Sequence, residues 1–308
     1  VTTAQLARSG GVRPMLLDGD GIMLSALLSR PDGAPRATIV ALHGAGMSAG
    51  YFDGQAAAEV SLLTLGARVG YTVLAVDRPG YGHSSARLPE GQSLDAQVRS
   101  LRAALTGFGA EQDTGAGIFL LAHSFGGMLA LRMADGGFGS ARLLGLDISG
   151  CGQRHARRLF QLGDPRRRSL RGWGPPRLYP PATFRTSATI VAPTPTVELA
   201  EAARWPVVFP RVAARVTVPV RFTFAEHEAL WRHDPDTLRD LTARFTSAPS
   251  VAVERQLGTG HNISLSWAAR SYHLRALGFL EQCLRTDGTT PGTDADRVRA
   301  MRPTTPEL

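Results

Sequence analysis

The stretch Ile118-Phe-Leu-Leu-Ala-His-Ser-Phe-Gly-Gly-Met-Leu-Ala-Leu131 decides how the 308-residue chain is read. It opens with an apolar run ending at Ala122, the signature of a buried strand. From Phe125 onward, small and apolar side chains suit a buried helix. Ser124 stands between the two. A serine on so tight a turn needs small neighbours two positions to either side, because strand and helix backbones nearly touch there. Ala122 and Gly126 meet that need.

Working outward, the chain alternates strands and helices. Residues 12–17 and 23–28 read as strands joined by Asp18-Gly-Asp-Gly21, a strong hairpin turn. Pro14 marks the first as an edge strand, since proline cannot donate to a central ladder. Thr38–Leu42 is a buried-type strand running into His43-Gly-Ala-Gly46. A helical pattern follows over 56–69. Thr72–Val76 is the next strand, ending in Asp77-Arg-Pro-Gly-Tyr-Gly-His-Ser84. Residues 93–106 predict a helix with Ser93 as N-cap. After the opening stretch comes a strand at 143–148. The alternation pauses over 150–217, which is rich in Pro and Arg. It resumes with a strand at 218–224, a helix near 236–246, a strand at 251–255 and a helix at 266–284. This order predicts a mostly parallel sheet covered on both faces. The expected division is a core of residues 1–149 and 218–285, a cap of residues 150–217 and a flexible tail of residues 286–308.

Composition narrows the class. Hydrophobic residues make up 43% of the chain, enough for a sizeable core, and no run of about 18 apolar residues predicts a membrane span. The first ten residues lack the apolar centre of a secretory leader. Cys151 and Cys283 fit neither a metal spacing nor a disulfide framework, so a reduced, cytoplasmic protein is expected. All 34 basic side chains are Arg. Residues 150–217 carry 12 of them against three acids, a net of +9, which leaves the rest of the chain at −1. Neither a metal cluster, a P-loop nor a dinucleotide glycine pattern occurs, so no cofactor is expected.

Five motifs, each at a strand end and in order, resemble those of the α/β-hydrolase superfamily over about residues 10–149 and 218–285. His43-Gly-Ala-Gly46 resembles its oxyanion loop, and Asp77–Ser84 its D-x-x-G-x-G-x-S loop. Ala-His-Ser-Phe-Gly resembles its G-x-S-x-G nucleophile elbow, with Ala122 replacing the first glycine. Ala225-Glu-His-Glu228 resembles its acid turn, and Gly258-Thr-Gly-His-Asn262 its histidine loop. The resemblance implies an α/β-hydrolase fold with a lid between strands 6 and 7. It also implies Ser124 as nucleophile, His261 as base and the backbone N–H groups of Ala45 and Phe125 as the oxyanion hole. Glu228 is the first choice of acid, where the family usually has Asp. Asp147 at the end of the sixth strand is the alternative, and Glu226 a further one. Asp77 reads as structural. His123 is expected to point into the sheet as a packed, hydrogen-bonded residue. His43 and His83 are expected to brace their loops.

A serine at position 124 argues against the aspartate-nucleophile branches of the fold. The expected activity is hydrolysis of an ester or thioester through an acyl-enzyme, including thioesterase, acyl-transfer or cyclisation chemistry of specialised metabolism. The alternative is a lyase, cyclase or cofactor-free peroxidase using the same residues. The basic cap, with Arg166, Arg167, Arg168 and Trp173, reads either as a solvated face or as a site for an acidic ligand such as CoA or an acyl-carrier protein. No nucleic-acid module and no membrane segment is found.

Overall fold

A computed structural model describes residues 8–136, 138, 141–156, 173–186 and 190–286. Eight strands form one sheet: β1 (Arg13–Asp18), β2 (Met23–Ser29), β3 (Thr38–Leu42), β4 (Thr72–Val76), β5 (Ile118–His123), β6 (Leu143–Ser149), β7 (Val220–His227) and β8 (Val251–Gly260). Their spatial order is β1-β2-β4-β3-β5-β6-β7-β8. The first two are antiparallel to each other, and β2 is antiparallel to β4. The pairs from β4 through β8 are all parallel. Pro14 lies on an edge strand, as its missing N–H requires.

The two-residue alternation of a strand divides the core in two. Val40, Leu42, Leu74, Val76 and Leu120 face one side, where helices α2 (Leu94–Glu111) and α3 (Phe125–Ala134) pack. Ile39, Ala41, Val73, Ala75, Phe119 and Leu121 face the other, packed by α1 (Leu62–Arg68). Both faces being covered explains why β3 and β4 are apolar at nearly every position. Ser93 caps α2, its side chain accepting from the Ala96 N–H at 3.3 Å.

The segment 150–217 holds regular structure where the sequence shows only a pause. Helix α4 (Thr196–Ala213) runs for 18 residues with Pro206 and Pro210 inside it. Prolines at those positions read as helix breakers, which is why the pattern hid this helix. Trp205, Phe209, Val212 and Ala213 on its inner face are fully buried in the same core side as α3. The Trp205 indole N–H donates to the Gly152 carbonyl at 3.0 Å. The later helices are α5 (Pro235–Ala243) and α6 (Ala269–Thr286), the second packing beside α1. Both β7 and β8 run longer than the sequence predicts, so the acid and histidine turns begin directly at their ends. The predicted tail lies outside the described residues, apart from Thr286, the last residue of α6. Among the described residues, no helix is long and apolar enough to cross a membrane.

Truncating Trp205 to alanine would empty a large volume in a packed core and remove a hydrogen bond. We expect Trp205→Ala to lower unfolding stability by about 3–5 kcal/mol in a urea titration. A loss under about 1 kcal/mol would mean that α4 is not an integral part of the core.

Candidate active site

The carboxyl ends of the parallel strands gather the predicted residues on one edge of the sheet. Ser124 falls between the last residue of β5 and the first of α3, with φ 53° and ψ −117°. It is one of two non-glycine residues with positive φ among those described. Such a backbone costs about 1–3 kcal/mol and persists only where its surroundings impose it. Here the start of α3 abuts the end of β3, and any side chain at Gly126 would collide with the Leu42 carbonyl. The Ser124 N–H donates to the Ser149 carbonyl at 2.8 Å, tying the turn to β6. Ala122, which replaces the usual glycine, is fully buried.

His261 follows β8 and Glu228 follows β7, the neighbouring strand. The His261 Nδ1 lies 2.8 Å from Glu228 Oε2 and 3.1 Å from Oε1. Both residues are buried. Glu228 Oε1 also accepts from the Leu230 N–H at 2.9 Å. Burial is the largest influence on this carboxyl and pushes its pKa up. The His261 imidazole and the Leu230 N–H outweigh it and hold the group below its ordinary value of 4.5. An ionised Glu228 can only accept, which assigns the proton to Nδ1 and leaves the Nε2 lone pair free.

Gly150, the residue after β6, has φ +57°. A Cβ there would stand 2.8 Å from His261 Cε1 and 3.0 Å from His123 Cε1. The serine turn, the end of β6 and the imidazole therefore meet at one place. His123 is packed and hydrogen-bonded as expected, its Nδ1 3.1 Å from Ser149 Oγ. It does not simply enter the sheet, however. Its ring stacks on Tyr51 at 4.7 Å and lies 4.7 Å from the His261 ring. Burial first, and then His261, push its pKa well down, so it is a neutral neighbour.

The remaining candidates fall elsewhere. Asp147 is fully buried and engaged by the Arg221 guanidinium and by the Tyr272 hydroxyl at 2.8 Å, not by His261. Glu226 accepts from the Gly258 N–H at 2.8 Å on an exposed edge. Asp77 accepts from Ser25 Oγ at 2.6 Å and the Ala49 N–H at 2.7 Å, a structural role as its turn context suggested. His43 braces its loop: Nδ1 meets the Gly44 carbonyl at 2.9 Å and Nε2 accepts from the Arg78 N–H at 3.1 Å. Among the described residues, the N–H groups of Ala45 and Phe125 have no acceptor, whereas that of Gly46 donates to the Tyr81 hydroxyl at 3.0 Å. Trp173 packs with Tyr179 and Phe184 at 5.2 and 5.3 Å, beside the end of β8. Arg166, Arg167 and Arg168 lie outside the described residues. Sequence reasoning missed Gly150 and Tyr51. A glycine directly after a strand end was the available signal for the first, and nothing marked the second. Among the described residues, no group of His, Cys, Asp and Glu could hold a metal ion.

A model of the alpha/beta hydrolase family matches residues 39–271. The chain belongs to that family. Solved structures share the fold over most of their length. A soluble variant of monoglyceride lipase from Saccharomyces cerevisiae, in complex with a substrate analog, superposes with a TM-score of 0.69 at 14% identity, covering 91% of this chain and 97% of that one. A thermostable carboxyl esterase from Bacillus coagulans gives 0.67 at 15% identity, covering 90% and 100%. The epoxide hydrolase CorEH gives 0.60 at 14% identity, covering 88% and 99%. At these identities the likeness establishes the fold alone. No curated protein matches the sequence.

A carboxyl held below its ordinary pKa stabilises the fold above pH 4.5, and that contribution is lost as pH falls through the lowered value. Glu228→Gln is therefore expected to cost roughly 1–2 kcal/mol at pH 7, with the gap to wild type closing below about pH 4.5. Denaturation midpoints measured from pH 7 to pH 3 test this. Parallel curves over the whole range would contradict an ionised Glu228 paired with His261.

Proposed function

We propose that the protein is a serine hydrolase that opens a carboxylic ester or thioester through an acyl-enzyme. The observation that carries this reading is the buried Glu228–His261 pair standing at the strand ends beside a serine held at positive φ. Ser124 Oγ attacks the substrate carbonyl while His261 Nε2 takes its proton. Glu228 keeps the imidazole in the required tautomer and stabilises the imidazolium that forms. The oxyanion of the tetrahedral intermediate is received by the Ala45 and Phe125 N–H groups, the second at a helix N-terminus where donors are unpaired. Collapse of the intermediate expels the alcohol or thiol, which takes the proton from His261. A water then gives a proton to His261, attacks the acyl carbonyl, and releases the acid and free Ser124.

The leaving group and acyl group are matters for the inserted segment. Its arginines Arg177, Arg185, Arg204 and Arg211 are exposed and make no ion pair among the described residues. Together with the +9 net charge of 150–217 they favour an acidic leaving group. CoA or an acyl-carrier domain has that character, consistent with thioesterase, acyl-transfer or cyclisation chemistry. Trp173 and Phe184, backed by the buried Tyr179, offer apolar surface beside the histidine turn for the acyl chain.

A fluorophosphonate probe should label the wild-type protein at one site, and Ser124→Ala should abolish labelling. The same variant should lower turnover of p-nitrophenyl esters by about 10³-fold or more. Turnover by Ser124→Ala at the wild-type rate would remove the proposal.

A further inference from the structure

Arg78 and Glu198 take no direct part in the proposed reaction, yet neither exposes any side-chain surface. Arg78 belongs to the loop after β4. Glu198 lies in the first turn of α4, within the inserted segment and 120 positions further along the chain. The guanidinium forks the carboxylate: Nη1 meets Oε1, and Nη2 lies 3.1 Å from Oε2. Nη1 also donates to Gln97 Oε1 at 2.9 Å, and Nε donates to the His43 carbonyl at 2.8 Å. The guanidinium carbon lies 4.7 Å from the centre of the Phe125 ring and 4.8 Å from that of Tyr81. One cation thus touches both halves of the proposed oxyanion hole: the His43–Gly46 loop through its carbonyl, and Phe125 through its ring.

Tyr81 completes the connection. Its hydroxyl donates to Glu198 Oε2 at 2.7 Å and accepts from the Gly46 N–H at 3.0 Å. Its ring packs edge-on against His43 at 4.7 Å. Burial raises the phenol above its ordinary range, against the pull of Arg78, so it keeps its proton. A carboxylate accepts and cannot donate. Glu198 therefore sets the direction of the Tyr81 O–H, and the lone pair left over faces Gly46. The far side of Gly46 is held by the inserted segment as well, where the Ala192 N–H donates to its carbonyl at 3.0 Å and Met47 bridges to Val191.

A buried ion pair of this kind seldom stabilises a fold by much over an apolar substitute, because both charges lose their water. Its consequence is geometric. With Gly46 tied on both sides, its N–H is spent, and among the described residues the neighbouring Ala45 N–H has no acceptor. We propose that Tyr81 and Glu198 are positioning residues for the oxyanion loop. Glu198 on the inserted helix orients the Tyr81 hydroxyl, and Tyr81 fixes Gly46 so that the Ala45 N–H meets the charge developing on the substrate oxygen. The inference rests on the serine-hydrolase reading above. It makes docking of the inserted segment a condition for fast chemistry.

Two variants test it. Tyr81→Phe keeps the ring against His43 and Arg78 and removes only the hydroxyl. Glu198→Gln keeps the shape and removes the charge. The readouts are kcat per active site, titrated with a fluorophosphonate, and KM on p-nitrophenyl esters. Tyr81→Phe is expected to lower kcat about 10–100-fold with KM within about threefold, since the lost contact matters most in the transition state. Glu198→Gln should act in the same direction, and the double variant should be little worse than Tyr81→Phe alone, as expected for residues acting in series. Arg36→Ala, which breaks an exposed ion pair with Glu281 far along the chain, should leave kcat unchanged. Should Glu198→Gln fail to fold, Tyr81→Phe alone decides. A purely structural role would lower the melting temperature or the titratable fraction but not kcat per titrated site. Tyr81→Phe within about twofold of wild type in that quantity would overturn the inference and leave the serine-hydrolase reading intact. A wild-type protein that neither titrates nor turns over esters would overturn both.

Discussion

Ser124 is held in a backbone conformation that an L-residue avoids, and the surrounding structure maintains it from three sides. The end of β3 presses on Gly126, β6 takes the Ser124 N–H, and α3 begins one residue later. Parallel pairing of β3, β5 and β6 brings these elements into register, so the strain at one residue is carried by the whole sheet. The same register brings the ends of β7 and β8 side by side. That is what sets Glu228 against His261 across a sequence gap of 33 positions.

Around this turn several buried charged groups are committed to one another, and each pairing limits what its members can do. Glu228 has two acceptor oxygens facing His261 Nδ1 and a third contact from Leu230, so the imidazole has one orientation. Asp147 is spent on Arg221 and Tyr272. Glu198 is spent on Arg78, Gln97 and Tyr81. The inserted segment is consequently tied to the core through the apolar contacts of Trp205 and Phe209, through the charge of Glu198 and through the Ala192 N–H on the Gly46 carbonyl. A helix fastened in that way transmits its position to the loop at Gly46.

Much of the fold was readable because parallel strands buried on both faces carry continuous apolar runs. Thr38–Leu42 and Thr72–Val76 were recognised to the residue for that reason. Helix α4 was not, since Pro206 and Pro210 mask a helical period that tertiary packing nevertheless stabilises. The choice among carboxylates was also beyond the sequence. Glu226 and Glu228 differ by two positions, and only the extension of β7 to His227 puts one on an exposed edge and the other beneath His261. Asp147 could be set aside only when Arg221, 74 positions away, was seen to occupy it. Glu198 read as one of three acids in a basic segment, whereas it is buried against a partner outside that segment.

The central claim is that an acyl group passes through Ser124. Mixing the protein with excess p-nitrophenyl acetate, quenching in acid within the first turnover and recording the intact mass tests it most directly. The account predicts a protein heavier by one acetyl group, with peptide mapping placing the adduct on Ser124 and no adduct on the Ser124→Ala protein. An unmodified mass during active turnover, or an adduct that maps to another residue, would contradict it.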